Sequence, residues 1–339
     1  MAQLQNLIIS GSITSTGNIT STGNKTTGYS SEVFTNPHLI TPTKTVGKLF
    51  FSGNTFKYNK YEGTGTFSAT SVLPYGTHCG GGGAGTQNAA ISMFGCSTNA
   101  STGFAEYNGT SWTTISQSGT NRCCGIARAG TANAALGAGG KNQCSTDEWD
   151  GSSWSSGGNM INKVGVGLSM GSCGLQDAAF ATGCYNGFHQ EYNGISWSNG
   201  TCTIVTGRRG ANGAGSQNSS LIAGGVGGAL EQKCTEEYNG TSWSAGGALI
   251  YAMNVASMYG TQDAAATTGG KIVYCNATNN ITEEYNGTSW QIGGSLINSR
   301  TGMWGNGAGS SSGAGLVFGG SGTNHSEEYN MSIVTCAIT

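Results

Sequence analysis

The sequence predicts an all-β fold, and three observations support that prediction. Only 9% of the 339 residues are charged and 60 are glycine, while the strong helix formers are scarce. The content of 7 Trp and 13 Tyr is too high for a disordered chain. A heptapeptide also recurs about every 45 residues. It reads "EYNGTSW" at 106–112, 237–243 and 284–290, "EWDGSSW" at 148–154 and "EYNGISW" at 191–197, with a truncated "EYN" at 328–330.

Each heptapeptide is predicted to form two strands joined by a tight turn. Asn-Gly tolerates positive φ at both central positions of a type I′ turn, which suits a two-residue hairpin. The flanking aromatic residues recur in every copy, so we expect them to pack a core rather than to act on a ligand. These structural repeat residues are Tyr107, Trp112, Trp149, Trp154, Tyr192, Trp197, Tyr238, Trp243, Tyr285, Trp290 and Tyr329.

A second turn signature precedes each heptapeptide, as in "GTQNAA" at 85–90, "GTQDAA" at 260–265 and, degraded, "GSSSGA" at 309–314. Six hairpins of this kind alternate with six of the first, which gives six units of four strands, named a to d in chain order. Four strands in about 40–50 residues is the pattern of a β-propeller. Small residues in strands a and b suit the crowded axis, and aromatic residues in c and d suit the wider space between blades. The sequence thus predicts a six-bladed β-propeller at residues 68–339.

The residues before the blades have a different composition. In residues 1–36, "ITSTGN" stands at 13–18 and again at 19–24, and such a repeat has no core of its own. We expect an extended arm that contacts other subunits or proteins, with a flexible linker as the alternative. Residues 37–67 contain "KYEGTGTF", an imperfect copy of the heptapeptide, and are expected to form a hairpin that closes the ring or caps the first blade.

Charge and hydropathy exclude several classes of function. A net charge of −2 provides no field that would gather nucleic acid or an anionic membrane. No stretch of about 18 apolar residues is present, so we expect no membrane insertion. The amino terminus lacks a basic segment before its short apolar run, which argues against a secretory signal. Synthesis in a cytosol without Sec export is therefore expected.

Motifs for catalysis, cofactors and metals are not found in the sequence. Arg122, Arg208 and Arg300 recur near the start of strand a, and a glutamate recurs in every heptapeptide copy, so both are interpreted as structural positions. No P-loop, catalytic triad or nucleophile elbow is present. Four scattered histidines without a Cys-x-x-Cys motif do not suggest a zinc site. We expect no enzyme activity, no catalytic residue, no metal and no cofactor.

The blades resemble the kelch family. Kelch blades place Gly-Gly at the end of an apolar strand, then an aromatic residue, then Trp. Here this order is found as "AGG" at 138–140 with Trp149 and Trp154, and as "AGG" at 223–225 with Tyr238 and Trp243. The resemblance covers roughly residues 68–339, although Asn-Gly replaces the usual Asp-Pro turn.

The repeats are also similar to the kelch-like repeats of predicted bacteriophage tail-fibre and virion proteins, and "NLIISGSITSTGN" resembles the start of such proteins. This resemblance implies a non-enzymatic virion protein (a fibre, adhesin or decoration) that is assembled in the host cytoplasm and then released. It implies an arm bound to other virion proteins, a homo-oligomer, and blades that contact a host-surface glycan or virion neighbours. The alternatives are a secreted or cell-surface lectin-like propeller and, further removed, a glycan-cleaving enzyme.

Recognition is expected on the face that carries the b–c and d–a loops, because the a–b and c–d turns hardly vary between units. The candidate ligand-binding residues on that face are Tyr185, Phe188, His189 and Tyr274. The aromatic side chains among them suit stacking on sugar rings; the alternative is that they pack neighbouring loops.

Ten of the eleven cysteines fall on this same face and are candidates for disulfides that form after release from the reducing cytosol. Cys173, near the other end of strand a, is expected to be free. Loop position favours Cys79–Cys96, Cys123 or Cys124–Cys144, and Cys184–Cys202 as the nearest pairs. The disulfide candidates are Cys79, Cys96, Cys123, Cys124, Cys144, Cys184, Cys202, Cys234, Cys275 and Cys336.

Overall fold

The structure is a computed structural model. It describes residues 49–52, 55–76, 82–95, 103–120, 122, 126–140, 143–163, 170–183, 187–200, 202–228, 230–272, 277–303 and 305–337. The predicted arm at 1–36 lies outside the described residues. The described chain divides into a large unit, residues 64–331, and a small unit formed by described residues of 49–63 and 332–337.

The described residues form thirty strands and no helix. In chain order they are β1 (Leu49–Ser52), β2 (Thr55–Ala69), β3 (Gly82–Thr86), β4 (Ala89–Met93), β5 (Ala105–Tyr107), β6 (Trp112–Thr114), β7 (Ile126–Thr131), β8 (Ala134–Gly139), β9 (Thr146–Trp149), β10 (Trp154–Gly157), β11 (Met170–Leu175), β12 (Ala178–Gly183), β13 (Phe188–Tyr192), β14 (Trp197–Asn199), β15 (Asn212–Ser216), β16 (Ser219–Ala223), β17 (Val226–Gly227), β18 (Leu230–Glu231), β19 (Thr235–Tyr238), β20 (Trp243–Ala245), β21 (Met253–Asn254), β22 (Ser257–Gly260), β23 (Ala265–Thr268), β24 (Lys271–Ile272), β25 (Ala277–Thr278), β26 (Thr282–Tyr285), β27 (Trp290–Ile292), β28 (Gly307–Ser311), β29 (Ala314–Phe318) and β30 (Ser326–Ala337).

Six antiparallel sheets form the blades of a propeller, as the sequence predicted, although the fourth strand of the sixth blade, β2, begins before the predicted range 68–339. In order of strands a to d they are β3-β4-β5-β6, β7-β8-β9-β10, β11-β12-β13-β14, β15-β16-β19-β20, β22-β23-β26-β27 and β28-β29-β30-β2. Each strand a contacts strand a of both neighbouring blades, and β28 lies beside β3. There the N–H of Gly83 donates a 3.3 Å hydrogen bond to the carbonyl of Gly305. The ring is therefore closed.

Strand β2 supplies the fourth strand of the sixth blade. Within the large unit, the N–H of Thr70 donates to the carbonyl of Ser326 at 3.1 Å, and the Phe67 and Tyr329 rings lie 4.7 Å apart. Of the two roles expected for the segment with "KYEGTGTF", the structure thus shows the closing one. Three strands of the last blade come from the end of the chain, and the fourth precedes blade one.

The small unit contains the hairpin of β1 with the first part of β2. Their register pairs Leu49 with Tyr58 and Ser52 with Thr55. In the same unit, the Thr335 hydroxyl donates a 2.7 Å hydrogen bond to Asn59 Oδ1.

The a–b turns require glycine at the point where strand a ends. Gly85 has a φ of 109°, and a Cβ there would lie 2.2 Å from the carbonyl oxygen of Ala89. Gly130 repeats this conformation in blade two. Only a residue without a Cβ adopts such a backbone at so close an approach, which accounts for the Gly that opens the second turn signature.

The c–d turns are wider than the sequence predicted. Tyr107 pairs with Trp112, so the loop has four residues rather than two. Asn108 Oδ1 accepts hydrogen bonds from the N–H groups of Thr110 (3.0 Å) and Ser111 (2.9 Å). The type I′ prediction is wrong because the Asn side chain caps its own loop in an Asx turn, and positive φ is confined to the glycine. The next four blades repeat this arrangement.

The hydrophobic core lies between adjacent blades. In one cluster Ala127 and Leu136 of blade two pack against Tyr192 and Trp197 of blade three. The two aromatic rings of that heptapeptide lie 5.1 Å apart in a tilted arrangement. Such aromatic pairs contribute about 0.5–1.5 kcal/mol beyond the area they bury. The small strand-a residues and the large strand-c and strand-d residues therefore fill one wedge together.

Two small sheets lie beside the blades. Strands β17 and β18 form a hairpin between strands b and c of blade four. Strands β21, β24 and β25 form a three-stranded sheet from the segments that enter and leave the a–b hairpin of blade five. Both belong to the b–c and d–a loops, which lie on one face of the ring.

Candidate functional site

A glutamate on strand c of every blade accepts a hydrogen bond from strand c of the next blade. In blade two the donor is the indole N–H of Trp149, 2.8 Å from Glu106 Oε1. The other donors are tyrosine hydroxyls, in the pairs Tyr192–Glu148, Tyr238–Glu191, Tyr285–Glu237, Tyr329–Glu284 and Tyr107–Glu328. We call the six carboxylates the glutamate ring. Each of them holds two blades together.

The tyrosines of this ring are held in their neutral form. Burial, and after it the hydrogen bond to the neighbouring glutamate, raises the pKa of Tyr107, Tyr192 and Tyr285 to about 12. A hydroxyl that donates to a carboxylate resists ionisation, because ionisation would remove the proton that forms the hydrogen bond.

The recurring arginines form buried ion pairs in alternate blades. Each one precedes strand a and reaches the acidic residue next to the ring glutamate of its own blade. The guanidinium of Arg300 also donates to the carbonyls of Gly319 (3.2 Å) and His325 (2.8 Å). The pairs are Arg122–Asp147 (Nη2–Oδ2 3.0 Å), Arg208–Glu236 and Arg300–Glu327 (Nη2–Oε1 2.5 Å). Their contacts all lie within the scaffold.

Blade five has the acidic residue of this motif without the arginine. Glu283 accepts hydrogen bonds from the N–H groups of Ile250 (2.7 Å) and Tyr251 (2.9 Å). Met253 occupies the position that Arg300 has in blade six. Met253 lies three residues after Ile250, and Arg300 lies three residues after Ile297, whose N–H binds Glu327. Burial raises the pKa of Glu283, and the two N–H groups oppose that shift.

Two of the predicted ligand-binding residues are buried. Phe188 packs in the core between blades two and three. His189 is 3% exposed, lies against the rings of Tyr238 and Trp243, and has Nε2 3.0 Å from Glu191 Oε1. Burial lowers the pKa of His189. Neither side chain is presented to a ligand on the surface. Tyr185 and Tyr274 lie outside the described residues.

Each described cysteine is a free thiol. Cys144, Cys202, Cys234 and Cys336 were predicted to form disulfides and are unbridged, whereas Cys173 was predicted to be free and is. Cys144 and Cys202 pack against hydrophobic clusters, so they serve as small apolar side chains. The remaining candidates lie outside the described residues: Cys79, Cys96, Cys123, Cys124, Cys184 and Cys275.

The d–a loops present apolar side chains on one face of the ring. In four consecutive loops, a buried apolar residue is followed by an exposed one. The backbone N–H of the exposed residue donates to the strand-c side chain of Gln190, Glu236, Glu283 or Glu327, so the loop is fixed and the side chain points outward. We call these side chains the d–a arc: Ile161 (52% exposed), Val205 (70%), Ile250 (38%) with the adjoining Tyr251 (40%), and Ile297 (54%).

A cavity of about 100 Å³ lies on the axis between the six strands a. Most of its lining is glycine and alanine, as the sequence gradient suggested. One layer of equivalent positions consists of Gly83, Arg128, Ser172, Gly213, Met258 and Gly307. Arg128 was not singled out from the sequence. The signal was present in "GIARAG", where a charged residue replaces the small or apolar residues of the other repeats.

Within the described residues, no helix is long and apolar enough to cross a membrane. The described part of the chain also has no group of three or more His, Cys, Asp or Glu side chains that could hold a metal ion.

Comparison with models of known families and with curated proteins found no match to this chain. The class of protein is therefore defined by its fold and contacts: a six-bladed β-propeller whose repeated charged residues join and brace the blades. The fold is compatible with a kelch-like propeller.

Proposed function

We propose that this protein is a non-enzymatic structural protein of a bacteriophage particle, and that its d–a arc binds a neighbouring virion protein. The propeller acts as a rigid fibre element, adhesin or decoration, and the residues at 1–36 anchor it. The observation that carries the proposal is the set of exposed apolar side chains repeated in four consecutive d–a loops. The phage origin rests on the resemblance of the repeats and of the amino-terminal segment.

Apolar side chains that recur at one position suit a protein partner. Single exposed apolar residues are ordinary on any surface, but neighbouring ones on one face mark interaction sites. Val205 and Ile297 occupy equivalent places in their loops, and each loop is fixed by a buried acidic residue. A pre-ordered surface of this kind loses little conformational entropy on binding.

The use of the carboxylates favours binding over catalysis. Acid–base catalysis needs titratable groups in contrasting environments and with access to substrate. The glutamates of the ring all make the same contact, a hydrogen bond accepted from the next blade. The acidic partners of the arginines are buried, as Glu236 at 2% exposure and Glu327 at 1% illustrate. Both sets act in the scaffold, which supports a protein that binds without turnover.

The test is an inventory of purified particles produced from the genome that encodes this chain. Mass spectrometry of gradient-purified virions is expected to find the protein at a fixed copy number relative to the capsid protein. A glycan array, assayed in parallel for binding and for cleavage, distinguishes a protein that binds glycans from an enzyme that cleaves them. Absence from the particles, or release of sugar from any glycan, would contradict the proposal. Binding to a host glycan without cleavage would leave the virion role in place and add a receptor.

A further inference from the structure

Arg128 places its guanidinium on the axis of the propeller. It belongs to strand a of blade two, yet its Nη2 lies 3.4 Å from Asn212 Oδ1 at the start of strand a in blade four. A Cβ on Gly305, just before blade six, would lie 1.2 Å from the same Nη2, and a Cβ on Gly82 of blade one 2.9 Å from Cδ. A side chain from blade two that touches blades four and six must lie at the centre of the ring.

This cation has no carboxylate partner among the described residues. Arg122, Arg208 and Arg300 each form an ion pair, whereas the guanidinium of Arg128 donates to a neutral amide at 3.4 Å. The residue is 5% exposed. Buried charges in proteins are paired or bound to an ion, because an uncompensated one is costly.

The thiol beside it does not supply the missing charge. Cys173 also lines the cavity, and burial raises the pKa of its thiol well above the ordinary value, so it stays neutral at pH 7. Burial lowers the pKa of Arg128 to about 10, which leaves the guanidinium charged at pH 7.

The cavity next to Arg128 has the size and lining of a small binding site. Its lining residues span three layers, from the layer of Arg128 to the glycines that end strand a. Beyond those glycines, Thr86 and Thr131 are exposed, so the cavity faces the a–b turns. Its volume of about 100 Å³ equals that of roughly three water molecules.

We propose that the axial cavity binds one small carboxylate, which pairs with the guanidinium of Arg128. A guanidinium accepts two carboxylate oxygens in a planar fork. The single positive charge matches a monoanion, and the described residues that line the cavity include no second cation to balance a dianion such as phosphate. The Ser172 hydroxyl lines the same layer; its oxygen accepts the Arg128 N–H at 3.0 Å, so its own proton is free to be donated.

Equilibrium dialysis of the full-length protein against radiolabelled acetate tests this site, in a buffer whose other anion is a bulky sulfonate. We expect about one acetate per chain, and loss of that binding in Arg128→Gln. The matched control is Lys163→Gln, which removes the same charge from an exposed position and is expected to bind as the wild type does. Equal binding by Arg128→Gln, or none by the wild type, would overturn the proposal.

A second variant covers the case in which Arg128→Gln does not fold. Arg128→Lys keeps the charge and loses the fork, and we expect acetate affinity to fall at least tenfold with an unchanged circular dichroism spectrum. Unchanged affinity contradicts the assignment. In competition, displacement by glucuronate as well as acetate identifies a sugar acid as a source of the carboxylate. Displacement by acetate alone identifies a free small acid. Phosphate that displaces the labelled acetate more effectively than unlabelled acetate does, at equal concentration, overturns the carboxylate assignment.

Discussion

The hydroxyl of Tyr107 donates a 2.6 Å hydrogen bond to Glu328 Oε1, which joins the first blade to the last. Thr70 Oγ1 lies within hydrogen-bond distance of the same hydroxyl. The glutamate ring is thus completed where the two ends of the propeller meet, close to the strand that precedes blade one. The chain links blade one directly to β2 of blade six, whereas the other three strands of blade six reach blade one only through non-covalent contacts. The bond between Tyr107 and Glu328 is therefore part of what keeps the ring closed.

Replacement of Tyr107 by Phe is expected to destabilise the protein by about 1–3 kcal/mol, because the Glu328 carboxylate loses its donor. Urea denaturation followed by circular dichroism measures the change. The control is Tyr251→Phe, which removes a hydroxyl from an exposed side chain and should change stability by less than about 0.5 kcal/mol. Equal stability of the two variants would show that the closing bond contributes nothing.

Stability is expected to fall in alkali over a defined range of pH. The fold raises the pKa of Tyr107, Tyr192 and Tyr285 from 10.0 to about 12, so it favours their neutral forms. The resulting stabilisation is fully present below pH 10 and is lost as pH rises toward about 12. Tyrosinate absorbance and circular dichroism should change together in that range. Unfolding that is complete below pH 10 would contradict this account.

Blade five provides a natural reference for the arginine pairs. Arg300→Met leaves Glu327 with its N–H donor from Ile297 and without an arginine partner, as Met253 leaves Glu283. We expect a loss of about 3–5 kcal/mol at pH 7. The loss should shrink in acid, because a carboxyl group is uncharged there and needs no cation. Calorimetry at several pH values tests both statements. A loss that does not depend on pH would mean that packing, and not charge, is responsible.

The a–b turns clamp the preceding blade through a glutamine in four of the six units. In blade four, Gln217 Nε2 donates to the carbonyls of Ala179 (2.9 Å) and Tyr192 (2.8 Å). Ala132 occupies this position in blade two, so Ala132→Gln should reach the carbonyls of Ala90 and Tyr107. We expect a gain of roughly 0.5–1.5 kcal/mol, and a comparable loss in the reciprocal Gln217→Ala. If Ala132→Gln lowers the stability measured in urea, position 132 is not equivalent to position 217.

The six-bladed ring could be predicted from the sequence because its evidence is local. Turn residues such as Gly85 and the spacing of Tyr238 and Trp243 within one heptapeptide reveal strands and their order. The conformation of the c–d turn could not be read from Asn-Gly, because the choice depends on whether the Asn108 side chain caps its own loop.

The contacts between blades could not be predicted from the sequence for a different reason. The bond from Tyr192 to Glu148 joins residues 44 positions apart, and its geometry depends on how adjacent blades pack. His189 was expected on a loop, but β13 begins at Phe188, so both side chains face the core. The axial position of Arg128 could not be predicted from the sequence, because it depends on how strands a of blades two, four and six meet on the axis.

The most direct test of the proposed function is the incorporation of arc variants into particles. Ile161, Val205, Ile250 and Ile297 are replaced together by Ser, and mass spectrometry measures the copy number per particle against that of the wild type. In the control variant, Ser likewise replaces Leu175, Ile195 and Ile292, which are also exposed but lie outside the d–a loops. The account predicts that the copy number per particle falls at least tenfold for the arc variant and equals that of the wild type for the control. Normal incorporation of a folded arc variant would contradict it.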